Sequence, residues 1–128
     1  MKLLLEEDSW EHVSELWTAS DEIVSSRLTY VETRAALERA RRSDRLPGER
    51  LGAVKADFGT RWHEIFAIEP VEPLIVLAAD IAERYGLRAY DAVHLASALA
   101  LEDPELWFLT WDGELSDAAS AAGLAVAP

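Results

Sequence analysis

The sequence of 128 residues contains no cysteine and only two lysines, Lys2 and Lys55. The absence of cysteine excludes disulfide bonds and thiolate metal sites. The scarcity of lysine excludes a phosphoacceptor receiver domain, which requires a lysine after one of its late strands. No apolar run approaches the roughly 20 residues of a membrane span, and the acidic residues directly after Leu5 are foreign to a signal peptide. We therefore expect a single cytoplasmic domain over residues 1–128, with no membrane partner.

Basic residues are also in short supply, since 12 lysines and arginines stand against 24 acidic residues and give a net charge of −12. This charge argues against a protein that grips nucleic acid by neutralising many phosphates. It does not exclude an enzyme that contacts phosphate through metal ions. Six arginines are concentrated between residues 34 and 50. Such a group is usually a solvated helix face, and the alternatives are that it guides RNA or pairs with an acidic partner.

Apolar periodicity predicts helices that alternate with short apolar strands. The predicted helices cover residues 2–18, 28–43, 49–63, 74–85, 92–101 and 113–122, and the predicted strands cover 21–26, 65–68, 106–110 and 124–127. Within the second helix the pattern places Leu28, Val31 and Ala35 on the buried face. Strands that are apolar throughout indicate a parallel sheet covered on both sides. The fold class is therefore α/β with a mostly parallel central sheet.

Asp91 and Asp112 are expected to be neighbours. The predicted helix carries the chain away from Asp91 at ~1.5 Å per residue, and the following strand brings it back to Asp112. Two carboxylates at one edge of a sheet repel each other, and a divalent cation is the usual reason for their presence. Ligands of parallel sheets lie at the carboxyl ends of the strands. The candidate site therefore consists of Glu32, Asp91 and Asp112, supported by Thr110 and Ser26.

Each of these carboxylates also has a structural interpretation. Glu32 completes a capping box that starts at Thr29, and the two aspartates are each in position to cap a helix. A lone histidine on a mostly apolar helix, such as His94, is more often a structural hydrogen-bonding residue than a general base. The five tryptophans are mainly expected in the core, with base stacking by Trp111 as the alternative.

Three segments carry a resemblance to a known family. They are SRLTYVETRAAL (26–37), LRAYDAVHLASA (87–98) and FLTWDGEL (108–115). In order and spacing they resemble the later motifs of PIN-domain ribonucleases, with VapC-type toxins of type II toxin–antitoxin systems most similar. The resemblance implies a three-layer α/β/α fold and an endoribonuclease that depends on Mg²⁺ or Mn²⁺. It also implies a homodimer and a cognate antitoxin, and it places Glu32, Asp91 and Asp112 on three of the four acidic metal-binding positions.

The sequence departs from the family at its beginning. The family opens with a central strand that carries the first aspartate, whereas residues 2–18 favour a helix here. We therefore expect the first strand and its metal ligand to be absent, and a natural start upstream of Met1. A second function follows from that absence, namely a catalytically impaired PIN-domain remnant that binds and sequesters an antitoxin.

Overall fold

The structure is a computed structural model that describes residues 2–5 and 20–127. Five strands and five helices are described there. In chain order they are β1 (Lys2–Leu5), β2 (Glu22–Ser26), α1 (Leu28–Arg42), α2 (Gly48–Trp62), β3 (Phe66–Ile68), α3 (Glu72–Tyr85), α4 (Ala89–Ala100), β4 (Leu106–Leu109), α5 (Gly113–Ala121) and β5 (Ala125–Ala127). None of these helices is both long and apolar enough to cross a membrane.

The strands form one parallel sheet in the order β3-β2-β1-β4-β5. The central strand is β1, which pairs Leu5 with Ser25 on one side and Leu4 with Phe108 on the other. The carboxyl ends of β1, β2 and β4 consequently lie side by side. This is the edge at which parallel sheets bind their ligands.

The prediction of a helix over residues 2–18 is wrong at its start, because Lys2–Leu5 is a strand. A run of three leucines carries no periodicity that separates a buried strand from a helix, and leucine favours helices. The central strand that we expected to be absent is therefore present. The remainder of that predicted helix, with Trp10 and Trp17, lies outside the described residues, as does Glu6, which follows β1 in the sequence.

The main core lies between the sheet and the helices α3, α4 and α5. Leu4, Leu95, Phe108 and Leu115 are completely buried within it. Helices α1 and α2 are joined by a separate aromatic cluster of Tyr30, Phe58 and Trp62, whose ring centroids lie 5.6 to 5.9 Å apart. The predicted helices over 49–63 and 74–85 are confirmed as α2 and α3, and their buried residues are Phe58, Trp62, Leu74, Ala78 and Ile81.

The predicted buried face of α1 is wrong. Val31 and Ala35 are exposed, and only Leu28 packs against the core. The buried residues of α1 are Thr29, Glu32, Thr33 and Leu37. Apolar periodicity misses this face because three of its four members are polar. Two of them, Thr29 and Glu32, contact Ser25 of β2 and His94 of α4.

Helix boundaries decide where the candidate residues stand. Helix α3 starts at Glu72 instead of residue 74, because a proline is tolerated in the first helical turn. Its end at Gly86 is confirmed, with a left-handed φ of 66° and an N–H that donates to the carbonyl of Ala82. Helix α4 starts at Ala89 instead of residue 92, so Asp91 lies inside its first turn.

Candidate active site

Asp91 is half-buried near the amino end of α4. The N-cap of this helix is Arg88, whose side chain makes no capping hydrogen bond, so the interpretation of Asp91 as the cap is wrong. Burial raises the pKa of Asp91 above 3.8, and the charge of Asp112 raises it further. His94 and Arg88 act in the opposite direction, and Glu32 adds a smaller increase. Asp91 therefore lies in the combined field of the other candidate carboxylates.

Asp112 caps α5, as one of its two interpretations predicts. Its Oδ1 accepts a hydrogen bond from the backbone N–H of Leu115 at 2.9 Å. Its own N–H donates to Thr110 Oγ1 at 3.0 Å, and Thr110 is buried. Thr110 thus fixes the backbone that carries Asp112. The capping role and a role at the site are compatible, because the side chain is exposed and influences the pKa of Asp91.

Glu32 is bound to His94 across the site. The Nε2 atom of His94 lies 3.2 Å from Oε1 and 3.4 Å from Oε2 of Glu32, and both side chains are buried. Helix α1 has Arg27 as its N-cap with no side-chain capping bond, so the capping-box interpretation of Glu32 is wrong. His94 is 1% exposed, which keeps it from contacting a substrate and agrees with its interpretation as a hydrogen-bonding residue.

Ser26 ends β2 and is fully buried. Its Oγ accepts a hydrogen bond from the backbone N–H of Leu28 at 3.2 Å, which holds the first turn of α1. Ser26 therefore helps to fix the start of the helix that carries Glu32.

The candidate metal ligands of the site are carboxylate oxygens, and oxygen ligands of this kind suit a hard cation such as Mg²⁺. Within residues 2–5 and 20–127, however, no group of three or more His, Asp or Glu side chains is close enough to hold a metal ion on its own. Mg²⁺ often binds through one or two carboxylates and retains several waters. Asp91 and Asp112, which influence each other electrostatically, are the two carboxylates that could hold an ion in that mode, whereas Glu32 is engaged by His94.

The pairing of Glu32 with His94 is the feature that sequence reasoning missed. The two residues are 62 positions apart, so no local pattern connects them. One weak signal exists, because His94 lies three residues after Asp91 and therefore on nearly the same face of α4. The side chain of His94 therefore faces the same region as the candidate carboxylates.

The surroundings of the site are partly aromatic. Trp111 and Trp107 are each 41% exposed, so the expectation that the tryptophans are mainly core residues is wrong for these two and right for Trp62. In the arginine-rich stretch, Arg41 and Arg42 pair with Glu38 on the surface of α1. These two arginines match the interpretation as a solvated helix face.

Comparison with known proteins identifies the family to which the chain belongs. The PIN domain family matches residues 1–120. The chain belongs to this family. It is 41% identical over 128 residues to ribonuclease VapC45 of Mycobacterium tuberculosis strain CDC 1551 and to ribonuclease VapC49 of strain H37Rv, covering 100% of this chain and 89% of each relative.

Solved structures confirm the fold class of this PIN domain. PAE2754 from Pyrobaculum aerophilum aligns with a TM-score of 0.74 at 20% identity, covering 98% of this chain and 87% of that one. FitAcB from Neisseria gonorrhoeae aligns with a TM-score of 0.69 at 19% identity, covering 100% and 97%. The predicted PIN-like α/β/α architecture is thus confirmed, and these distant structures inform the fold alone.

Proposed function

We propose that this PIN domain is an endoribonuclease toxin of a toxin–antitoxin module, which cleaves RNA phosphodiester bonds with the help of Mg²⁺ or Mn²⁺. The observation that carries the proposal is the 41% identity to two ribonucleases over the whole chain. The site supports it, because burial and the like charge of Asp112 raise the pKa of Asp91 at the edge where a parallel sheet binds ligands.

In this proposal Asp91 and Asp112 hold the metal ion. When bound, the ion lowers the pKa of a water molecule and offsets charge on the phosphate during hydrolysis. The chain supplies the positions of the donors. Leu115 and Thr110 fix Asp112 through the two hydrogen bonds of the cap, and His94 fixes the carboxylate of Glu32, which then accepts a hydrogen bond from water in the site.

The proposal includes a cognate antitoxin and a homodimer, as well as a cytoplasmic location where RNA is available. The antitoxin is supported by apolar side chains that remain exposed on the elements of the site. Tyr90 and Trp111, the sequence neighbours of the two aspartates, are 54% and 41% exposed, and Val31 next to Glu32 is 55% exposed. A protein segment that covers these side chains closes the site to RNA.

Cleavage of a single-stranded RNA mixture tests the proposal directly. We expect the purified chain to cleave RNA with Mg²⁺ or Mn²⁺ and to lose this activity in EDTA. Asp91→Asn and Asp112→Asn should each abolish cleavage while the far-ultraviolet circular dichroism of the protein stays unchanged. Cleavage that persists equally in both variants contradicts the assignment, because it then comes from another site or from a contaminating nuclease.

A second candidate function is the antitoxin-binding remnant. It is favoured by one observation, namely that Glu32, the third candidate carboxylate, is engaged by His94. The two functions differ in a single measurement. The remnant binds its antitoxin but cleaves no RNA at any metal concentration, whereas the enzyme does both.

A further inference from the structure

The pair of Glu32 and His94 connects two helices that are distant in sequence and adjacent at the site. Nε2 of His94 is almost equally far from the two carboxylate oxygens, at 3.2 and 3.4 Å. In the tautomer that carries hydrogen on Nε2, one N–H faces the edge that the two oxygens share. That edge is then not available to chelate a cation, and the outer lone pairs of the two oxygens remain for other contacts.

Glu32 depends on this contact for its position. Its side chain is 9% exposed, and within the described ranges no lysine or arginine forms an ion pair with it. A buried carboxylate requires hydrogen-bond donors or a nearby positive charge. In the tautomer that carries hydrogen on Nε2, His94 supplies such a donor from the second turn of α4.

The other nitrogen of the ring shows that packing does not explain the histidine. Nδ1 of His94 is buried and has no hydrogen-bond partner in the part of the chain that the structure describes. A histidine that serves only the core normally satisfies both nitrogens. An apolar side chain of similar volume fills the same space without an unsatisfied atom. The polar contact that the imidazole makes in the described part of the chain is therefore the one with the carboxylate of Glu32.

We propose that His94 is a positioning residue of the active site, which holds the Glu32 carboxylate toward the ion and its bound waters. This inference rests on the proposed metal-dependent function. Hydrogen bonds of this kind orient metal-site carboxylates, and their loss typically lowers metal affinity or activity by about 10- to 100-fold. His94 acts through Glu32 and does not contact the substrate itself.

Three substitutions at this position separate positioning from packing. His94→Gln places an amide N–H at the same number of bonds from the backbone as Nε2. His94→Asn places its amide at the level of Nδ1, too short to reach Glu32. His94→Phe retains a ring of similar size without any donor. The matched control is Ser97→Ala, which removes another buried polar group of α4, whose hydroxyl donates to the backbone carbonyl of Val93.

Mn²⁺ affinity, measured by calorimetry on each folded variant, is the decisive readout. We expect His94→Gln and Ser97→Ala to bind Mn²⁺ like the wild type, and His94→Asn and His94→Phe to bind it about 10- to 100-fold more weakly. Circular dichroism verifies the fold, and if His94→Phe does not fold, His94→Asn decides. In RNA cleavage kcat should fall in the same two variants while KM for RNA is retained.

Failure of this inference is distinguishable from failure of the proposed function. A wild-type chain that binds Mn²⁺ but cleaves no RNA contradicts the ribonuclease function, while the order of the Mn²⁺ affinities still decides the role of His94. Equal affinity in wild type and His94→Asn overturns the positioning role. So does equal weakening by His94→Gln and His94→Asn, or a wild type that binds no Mn²⁺.

Discussion

Asp91 and Asp112 stand on different helices but share one electrostatic environment. Partial burial raises the pKa of Asp91, and the negative charge of Asp112 raises it further. The carboxylate form of Asp91 is therefore disfavoured in the folded protein relative to the unfolded chain. The fold tolerates a group that lowers its stability at neutral pH, which is typical of sites where a ligand supplies the missing positive charge.

Asp91→Asn should raise the thermal stability of the metal-free protein at pH 7. A carboxyl group whose folded pKa lies above its unfolded value of 3.8 stabilises the fold below that value, and this contribution is lost as the pH rises through the folded pKa. Asparagine does not ionise, so the variant loses no such stability as the pH rises. We expect Tm of the variant to exceed that of the wild type at pH 7, as measured in EDTA by circular dichroism.

The pH dependence provides the control for this prediction. The difference in Tm between Asp91→Asn and the wild type should shrink toward zero as the pH falls below 3.8, where both side chains are neutral. Asp80→Asn, on the exposed surface of α3, is the matched variant and should show no comparable gain. A wild type that is more stable than Asp91→Asn at pH 7 in EDTA contradicts the assignment.

Mg²⁺ should stabilise the wild-type protein and leave Asp91→Asn nearly unaffected. A ligand that binds only the folded state stabilises it by about 2.7 kcal/mol at 100 times its dissociation constant. The cation also relieves the repulsion between Asp91 and Asp112. We expect Tm of the wild type to rise with Mg²⁺ concentration, while potassium chloride of equal ionic strength serves as control. The same rise in both proteins would place the ion elsewhere.

Asp112 has a structural and a functional part that substitutions can separate. Asparagine caps helices about as well as aspartate, so Asp112→Asn should retain stability and lose RNA cleavage. Asp112→Ala loses both, with a stability cost of about 0.5 to 2 kcal/mol from the missing cap. Urea unfolding gives the first quantity and an RNA cleavage assay the second. Retained cleavage in Asp112→Asn would limit Asp112 to capping α5.

The order and type of most elements could be predicted from the sequence, because strong apolar periodicity marks α2 and α3 and short apolar runs mark β2 and β4. The first strand could not. Lys2–Leu5 has no length or alternation of its own, and only its neighbours β2 and β4 make it a strand. Such a central parallel strand forms because of its long-range pairing and not because of its local sequence.

Part of the candidate site could also be predicted from the sequence, but from the lengths of the elements and not from apolar periodicity. Asp91 and Asp112 are placed by a helix and a strand that join them directly, so their proximity follows from element lengths. The contact of Glu32 with His94 depends instead on how α1 meets α4, and no spacing in the sequence encodes it. The buried face of α1 escapes prediction for another reason, because the polar Thr29 and Thr33 accompany Glu32 there and apolar periodicity does not register them.

Phe58→Ala tests the aromatic cluster that joins α1 to α2, away from the carboxylates. Phe58 is 1% exposed, and its ring lies 5.7 Å from that of Tyr30 and 5.9 Å from that of Trp62. Loss of a buried phenyl ring and the resulting cavity cost about 3 to 5 kcal/mol. We expect this decrease in the free energy of unfolding, measured with urea.

The control for this cluster is Tyr30→Phe, which retains the ring and removes only the hydroxyl that accepts a hydrogen bond from Arg34 at 3.1 Å on the exposed side of α1. Its effect should remain within about 0.5 kcal/mol, as for most surface changes. A loss below about 1 kcal/mol in Phe58→Ala would mean that α1 is held by its contacts at the site instead of by the aromatic cluster. Mn²⁺ affinity distinguishes the two cases, because loss of the Phe58 ring shifts Glu32 when the aromatic cluster holds α1 and leaves it in place when the contacts at the site hold α1.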